Sequence, residues 1–262
     1  MESCNKEQVE TFEKTQNAQL SIVLNPYDSV GIKHNNLLDS LSFNKSNYFS
    51  IVDVLSETNQ FYDISNIDPE LNQSIENTQN YFENDPTSLM SQSITEIFLE
   101  NDFSDSTKVK LEVLASIFEN FIDLIDTDSI NNNLSENEIE FYINDLILKI
   151  NSLESLCLID DNLPESERIL VLSTISVSKK SLEYWKMALL NENHIYHDDL
   201  IAFSGSYKTS GLKLKKFLQG LIIVVTADAV GALFGAAGAM LPTNIAIMAG
   251  IMSTITAIGL LV

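Results

Sequence analysis

Residues 217–241, near the C-terminus, read Phe-Leu-Gln-Gly-Leu-Ile-Ile-Val-Val-Thr-Ala-Asp-Ala-Val-Gly-Ala-Leu-Phe-Gly-Ala-Ala-Gly-Ala-Met-Leu. Pro242-Thr243-Asn244 is typical of a tight turn, and residues 245–262 are again apolar. A helix of 20 to 25 residues is about 30–37 Å long, which matches a hydrocarbon core of about 30 Å. The two arms predict an apolar, Gly/Ala-rich helical hairpin over residues 217–262.

The pattern leaves two environments open for this hairpin. No side chain from 229 to 262 is charged, and Lys213, Lys215 and Lys216 precede the first arm, where lysines meet a lipid interface. Asp228 opposes a membrane, because a carboxylate near mid-depth costs about 2.5–3.5 kcal/mol on insertion scales. The alternative environment is a protein core, in which the rest of the chain covers the hairpin.

Small residues predict close packing of the two arms. Gly231 and Gly235 have a four-residue spacing, Gly238 extends the same face, and Gly250 can oppose it from the second arm. Glycines at such a spacing let two helices approach closely. We therefore expect these four glycines to pack the arms together or to join copies of the chain in a homo-oligomer.

Charge separates the hairpin from the rest of the chain. The 262 residues include 15 basic and 37 acidic ones, which gives a net charge of −22. Such an acidic chain lacks the basic footprint that binds a nucleic-acid backbone, so we expect no nucleic-acid partner. We divide the chain into a flexible polar N-terminus (1–24), an acidic helical body (25–203), a linker with a lysine cluster (204–216) and the hairpin (217–262).

The body is predicted to be an all-α bundle, because helix-start signals recur before apolar residues at three-to-four spacing. Ser135 and Glu138 have the spacing of a capping box, and Pro164 is typical of a first helical turn. A further helix is predicted over 104–126. Shorter helices are predicted at 29–42, 47–56, 69–83 and 87–100.

We find no catalytic motif and predict neither an enzyme, a cofactor nor a metal site. Cys157 lies on an apolar helical stripe, which is typical of a buried packing residue. His194 and His197 could share a metal ion on one helical turn, but Asn191 favours the end of the preceding helix, so a polar loop is the default there. Residues 126–137 begin like a calcium loop but lack its glycine and its final glutamate.

The N-terminus contains a candidate lipidation site. Ser3 precedes Cys4, polar residues follow, and this junction resembles the point at which bacterial lipoproteins are cut and lipidated on cysteine. The basic and apolar segments of an export signal do not precede it in this sequence. The alternative is a polar start in which Cys4 is an ordinary thiol.

A second resemblance begins at Asn25, where the residues read Asn-Pro-Tyr-Asp-Ser-Val-Gly-Ile-Lys-His-Asn. This opening is similar to that of an uncharacterised group of bacterial, lipoprotein-like proteins. The group also has a Ser-x-x-Tyr-Trp stretch, matched by Ser181, Tyr184 and Trp185, and a Gly/Ala-rich tail. The resemblance implies no activity. From the residues themselves, Gly31 predicts a close helix approach, and His34 predicts a structural histidine that bonds to the body.

These observations favour a non-enzymatic, membrane-associated helical protein, with the cell envelope as a candidate location and membrane lipid as its partner. One alternative is a secreted pore-forming or bacteriocin-like protein, since the layout resembles that of pore-forming colicins. The other alternative is a soluble binding or scaffold domain whose core contains the hairpin.

Overall fold

The computed structural model describes residues 24–42, 103–126, 135–198, 211–239, 244–250 and 252–253. Throughout these ranges the regular structure is helical, which confirms the predicted all-α bundle. The longest helices within these ranges are α1 (Asp28–Ser42), α2 (Asp105–Asp126), α3 (Glu136–Leu158), α4 (Glu165–Leu190) and α5 (Gly211–Ala239). Residues 244–250 form a further helical stretch, which we call the second arm.

The predicted start of α3 is confirmed. The Glu138 backbone amide donates to Ser135 Oγ at 3.4 Å, and the Ser135 amide donates to Glu138 Oε2 at 2.7 Å. These two bonds satisfy amides that have no partner inside the helix. The hydrogen bond from the Ser135 backbone also lowers the pKa of the Glu138 carboxyl.

The turn between α3 and α4 is held by Arg168. Its guanidinium donates to the carbonyl oxygens of Cys157 at 3.1 Å and Asp160 at 2.9 Å, so it satisfies groups left open at the end of α3. Pro164 lies at the N-cap of α4, where its missing N–H costs nothing. Lys110 of α2 contacts Asp160 at 2.9 Å, and this hydrogen bond is the main reason that the pKa of Asp160 falls to about 2.

The central helix is α4. Helices α1, α2, α3 and α5 all pack against it, and α5 also packs against α2. The body and the apolar C-terminal segment therefore share one hydrophobic core. Apolar side chains at the three-to-four spacing found in the sequence are buried in it: Leu114, Phe118, Phe121, Ile139, Ile143, Leu146, Ile150, Leu153, Cys157, Leu172, Ile175, Leu182, Trp185 and Leu189.

Burial of α5 extends around its circumference. From 220 to 233 every residue is buried except Ile223, which is partly buried, and residues 244–250 are all buried. A helix that is apolar on every side requires such an environment. Taken over the residues that the structure describes, no helix combines the length and the apolarity needed to cross a membrane.

Two predicted boundaries differ from the structure. Helix α5 begins at Gly211, so residues 211–216, which we had assigned to the linker, are helical. Helix α1 begins at Asp28, one residue before its predicted start at 29. The predicted helices at 47–56, 69–83 and 87–100 lie outside the described residues.

Candidate functional site

The Asn25-Pro26 turn anchors α1 to two other helices. Asn25 Oδ1 accepts from the Tyr27 amide at 2.9 Å, which shapes the turn. Asn25 Nδ2 donates to the Leu172 carbonyl of α4 at 2.9 Å and to Glu154 Oε1 of α3 at 2.8 Å. One buried amide side chain thus fixes the start of α1 against α3 and α4.

A buried cation lies beside this turn. Lys179 Nζ of α4 contacts both carboxylate oxygens of Glu154 at 2.9 Å and Asp28 Oδ1 at 3.2 Å. Burial by itself lowers the pKa of Lys179, but the hydrogen bond and charge of Glu154, together with Asp28, outweigh it and raise that pKa. The ammonium group is therefore charged and joins the start of α1 and the middle of α4 to α3.

Gly31 permits the close approach of α1 to α4. A Cβ added to Gly31 would lie 2.5 Å from the backbone oxygen of Ser176. The Gly31 amide donates to Ser176 Oγ at 3.2 Å, and that hydroxyl donates to the Asp28 carbonyl at 3.2 Å. The close approach that the sequence predicted at Gly31 is thus present, and a serine of α4 is its partner.

The candidate site lies one turn further along α1, where three helices contribute a polar side chain to one point in the core. These residues are His34 of α1, Ser181 of α4 and Asp228 of α5, and each is 0% exposed. Ser181 Oγ donates a short hydrogen bond to Asp228 Oδ2. His34 Nε2 lies 3.4 Å from the same oxygen. We call these three residues the buried polar cluster.

Asn35 fixes the orientation of the His34 ring. Asn35 Nδ2 donates to the Lys180 carbonyl at 3.1 Å, so its Oδ1 is the atom that faces His34 Nδ1 at 2.9 Å. An amide oxygen is only an acceptor, so Nδ1 must carry a proton. The other ring nitrogen, Nε2, is thereby directed at the Asp228 carboxylate.

Serine, histidine and aspartate are the residue types of nucleophilic catalysis, but the cluster has a different geometry. In a catalytic triad the serine hydroxyl bonds to histidine, and histidine bonds to aspartate. Here Ser181 donates to Asp228 directly, and all three side chains are closed off from solvent. In this conformation the cluster can bind the helices to one another, but no substrate can reach it.

A second polar and aromatic group closes the far end of α1. Tyr184 OH donates to Asp39 Oδ1 at 2.7 Å, and Tyr196 OH donates to the Leu38 carbonyl at 3.2 Å. Burial and the bond to Asp39 raise the pKa of Tyr184, while burial lowers the pKa of His194, whose ring packs edge-on against Tyr184 at 4.8 Å. These contacts join the segment after α4 to α1.

The other residues considered for metal binding or nucleophilic chemistry, His194, His197 and Cys157, make packing and hydrogen-bond contacts within the fold. His197 Nδ1 lies 3.0 Å from the Ala188 carbonyl, and the turn bond from the His197 amide to the His194 carbonyl is 2.9 Å. Within the described ranges no three His, Cys, Asp or Glu side chains are placed to hold a metal ion. Cys157 is buried, and that burial raises the pKa of its thiol to about 11.

The structure places the candidate glycines at two different contacts. A Cβ added to Gly231 would lie 2.6 Å from the Met248 backbone oxygen and 2.8 Å from Ala249 Cα, so Gly231 packs α5 on the second arm. Gly250 instead packs on the Leu37 side chain of α1. Gly235 and Gly238 lie within α5.

The remaining predicted sites are less fully described. Lys213, Lys215 and Lys216 lie in the first turns of α5, and their side chains are outside the described residues. Cys4 and the residues at 127–134 also lie outside them.

Sequence reasoning found two members of the buried polar cluster but did not bring them together. It assigned His34 to a bond with the body and treated Asp228 as a cost to membrane insertion. Ser181 and Asp228 are 47 residues apart in sequence, so local spacing does not connect them. The available signal was the single carboxylate in an apolar run, which requires a buried partner wherever that run lies.

Comparison of the chain with protein-family models, curated proteins and solved structures finds no match. The resemblance to a lipoprotein-like group therefore stays a prediction.

Proposed function

We propose that this protein is a non-enzymatic helical binding or scaffold domain whose apolar C-terminal segment is part of its own core. The observation that carries the proposal is the burial of α5 on all sides from 220 to 233 by other parts of the same chain. A membrane anchor would instead leave its apolar surface to lipid.

Specific contacts support a segment built for this core. Asp228 accepts a hydrogen bond from a hydroxyl of α4 and contacts an imidazole of α1. A membrane anchor would not require either contact. Gly231 and Gly250 fit the second arm between α5 and α1 at distances that only glycine allows without a shift of neighbouring atoms. Replacing these contacts by lipid would leave the partners on the body unsatisfied.

The surface of the body then carries the function. The closed polar cluster favours a non-enzymatic role, because its reactive groups have no route to a substrate. Residues 1–207 carry nearly all the acidic side chains, whereas Lys213, Lys215 and Lys216 lie in the first turns of α5. A surface of this charge attracts cationic partners and repels anionic ones.

Native-state hydrogen exchange of the full chain tests the proposal. We expect amides at 220–233 to exchange only through the same opening that exposes the centre of α4, because the two helices share one core. Exchange at 220–233 through a much smaller opening, with α4 still protected, would contradict it. The amides of exposed Ser152 and Ser155 in α3 provide an internal reference for surface helix.

Membrane association is the second candidate function, and the uncharged run from 229 to 262 favours it. It includes the predicted pore-forming or envelope protein. Flotation of the full chain with vesicles separates the candidates, since the core proposal predicts that the chain stays in the dense fraction. Co-flotation, with or without release of a trapped dye, would support the membrane alternative instead.

A further inference from the structure

We propose that His34 and Asp228 share one buried proton between His34 Nε2 and the Asp228 carboxyl group. The resulting ion pair or hydrogen bond joins the C-terminal segment to the body. The inference begins with the hydrogen bonds that surround the pair. The contact with Asn35 Oδ1 requires a proton on His34 Nδ1, and the Ser181 hydroxyl donates its hydrogen bond to Asp228 Oδ2. Neither neighbour therefore supplies a proton to the contact between Nε2 and the carboxylate.

Without an additional proton this contact would be repulsive. A neutral imidazole with hydrogen on Nδ1 presents a lone pair at Nε2, and that lone pair would face carboxylate oxygen at 3.4 Å. Both side chains are 0% exposed, so water cannot relieve the repulsion. One added proton, on Nε2 or on the carboxyl group, turns the contact into an ion pair or a hydrogen bond.

Among the described residues, the helices around this contact provide no other titratable group for it. On α4, Lys180 bonds to Glu183 at 2.8 Å, and Lys179 is paired with Glu154 and Asp28. The buried residues of α2, between Thr107 and Phe121, are hydroxyl-bearing or apolar, and residues 244–250 include no ionisable side chain. The neighbouring Lys33 on α1 is exposed.

The proton thus makes the union of α1 and α5 dependent on pH. The singly protonated pair is the stable form. Loss of its proton at higher pH leaves a buried carboxylate opposite a lone pair, and gain of a second proton at lower pH removes the charge of the carboxylate. Either change weakens the contact between the body and the C-terminal segment.

Nitrogen-15 and carbon-13 NMR of the full chain locate the proton directly. We expect one of two signatures at neutral pH: an Nε2–H on His34 or the carbon shift of a protonated Asp228 carboxyl group. The chain has three histidines, so His194→Gln and His197→Gln variants assign the His34 resonances. An unprotonated Nε2 together with an ionised Asp228 would overturn the proposal.

The variant Asp228→Asn supplies a second readout. An amide N–H at this position can donate to the Nε2 lone pair, so no extra proton is needed. We expect the unfolding free energy of the wild-type chain to fall, relative to that of Asp228→Asn, as the pH rises through loss of the shared proton. Parallel pH profiles for the two chains would contradict the proposal. Groups elsewhere that titrate in alkali are present in both chains, so their effects on the unfolding free energy cancel in the difference. This result is independent of vesicle flotation, so it does not depend on the proposed function.

Discussion

Helices α4 and α5 are both central to the bundle, but they are built from opposite kinds of residue. Buried positions of α4 include five serine or threonine side chains and a lysine, whereas those of α5 are nearly all aliphatic or alanine. The serines and threonine are Ser173, Thr174, Ser176, Ser178 and Ser181. The difference shows that burial on all sides can be reached by small polar residues or by apolar ones.

The two helices also make different kinds of contact with their neighbours. Helix α4 uses directed bonds, such as those from Ser176 to Asp28 and from Lys179 to Glu154, which set its position against α1 and α3. The described part of α5 packs mainly through apolar contact area, and there Asp228 accepts a hydrogen bond from another helix. Directed bonds specify register, whereas apolar contact gives most of the free energy of burial.

The largest expected effect comes from the buried cation of α4. Lys179→Met leaves Glu154 and Asp28 without their shared partner, and breaking a buried ion pair in this way costs about 3–5 kcal/mol. Lys180→Met is the matched control, since its partner Glu183 is half exposed and such pairs contribute about 1 kcal/mol or less. Urea denaturation of both variants measures the difference, and equal losses would contradict the assigned role of Lys179.

The same pair of variants has a defined pH dependence. The folded-state pKa of Lys179 is raised above its ordinary value of 10.5, so its stabilisation is fully present below pH 10.5. It is lost as the pH rises through the folded-state pKa. The difference in unfolding free energy between wild type and Lys179→Met should therefore be constant around neutrality and shrink only in strong alkali; a difference that already shrinks below pH 9 would refute this assignment.

The next effect measures the hydrogen bond between Ser181 of α4 and Asp228 of α5. Ser181→Ala removes the hydroxyl that donates to Asp228, and a hydrogen bond to a charged group contributes about 1.5–3 kcal/mol. Ser178→Ala is the control, because Ser178 Oγ donates to the Thr174 carbonyl within α4. The Ser181→Ala cost should shrink in an Asp228→Asn background. A double-mutant cycle with no coupling would show that the two residues do not interact.

Glycine substitutions with smaller expected effects compare helix contacts against backbone oxygen with a contact against an apolar side chain. Gly31→Ala and Gly231→Ala each place a methyl group against backbone oxygen, which cannot move cheaply, and overpacking of this kind costs about 1–3 kcal/mol. Gly250→Ala meets only the Leu37 side chain, which can change rotamer, so its thermal unfolding should change least. A larger loss for Gly250→Ala than for Gly31→Ala would be inconsistent with these contacts.

The smallest effect concerns Cys157, which contacts neither polar feature. Burial raises its pKa from 9.0 to about 11, so the neutral thiol stabilises the folded state below pH 9, and that contribution is lost between pH 9 and about 11. In a Cys4→Ser chain, Cys157 should react with a thiol reagent only as fast as the protein opens. Rapid labelling at pH 8 would show that this thiol is accessible.

Much of the fold follows from local signals in the sequence. The capping box at Ser135, the proline at 164 and apolar spacing give the starts and inner faces of α2, α3 and α4, because these signals act within one or two helical turns. The burial of the serine and threonine positions of α4 could not be predicted, because these residue types usually indicate an exposed face. Their burial depends on which helices surround α4, and residue spacing along one helix contains no information about its neighbours.

The environment of α5 shows the same limit more clearly. An apolar run is equally compatible with lipid and with a protein core, because both remove it from water. Asp228 distinguishes the two only through partners on α1 and α4, which are distant in sequence. The candidate glycines followed from small-residue spacing, but the contact of Gly250 with Leu37 of α1 required the three-dimensional arrangement.

Whether the C-terminal segment is part of the protein's own core can be measured by removing residues 208–262, with circular dichroism and thermal unfolding of the chain that ends at Tyr207. Because α5 and the second arm form a large part of the shared core, we expect this chain to lose its cooperative transition and much of its helical signal. A shortened chain that keeps the helicity and melting temperature of the full-length body would contradict the account.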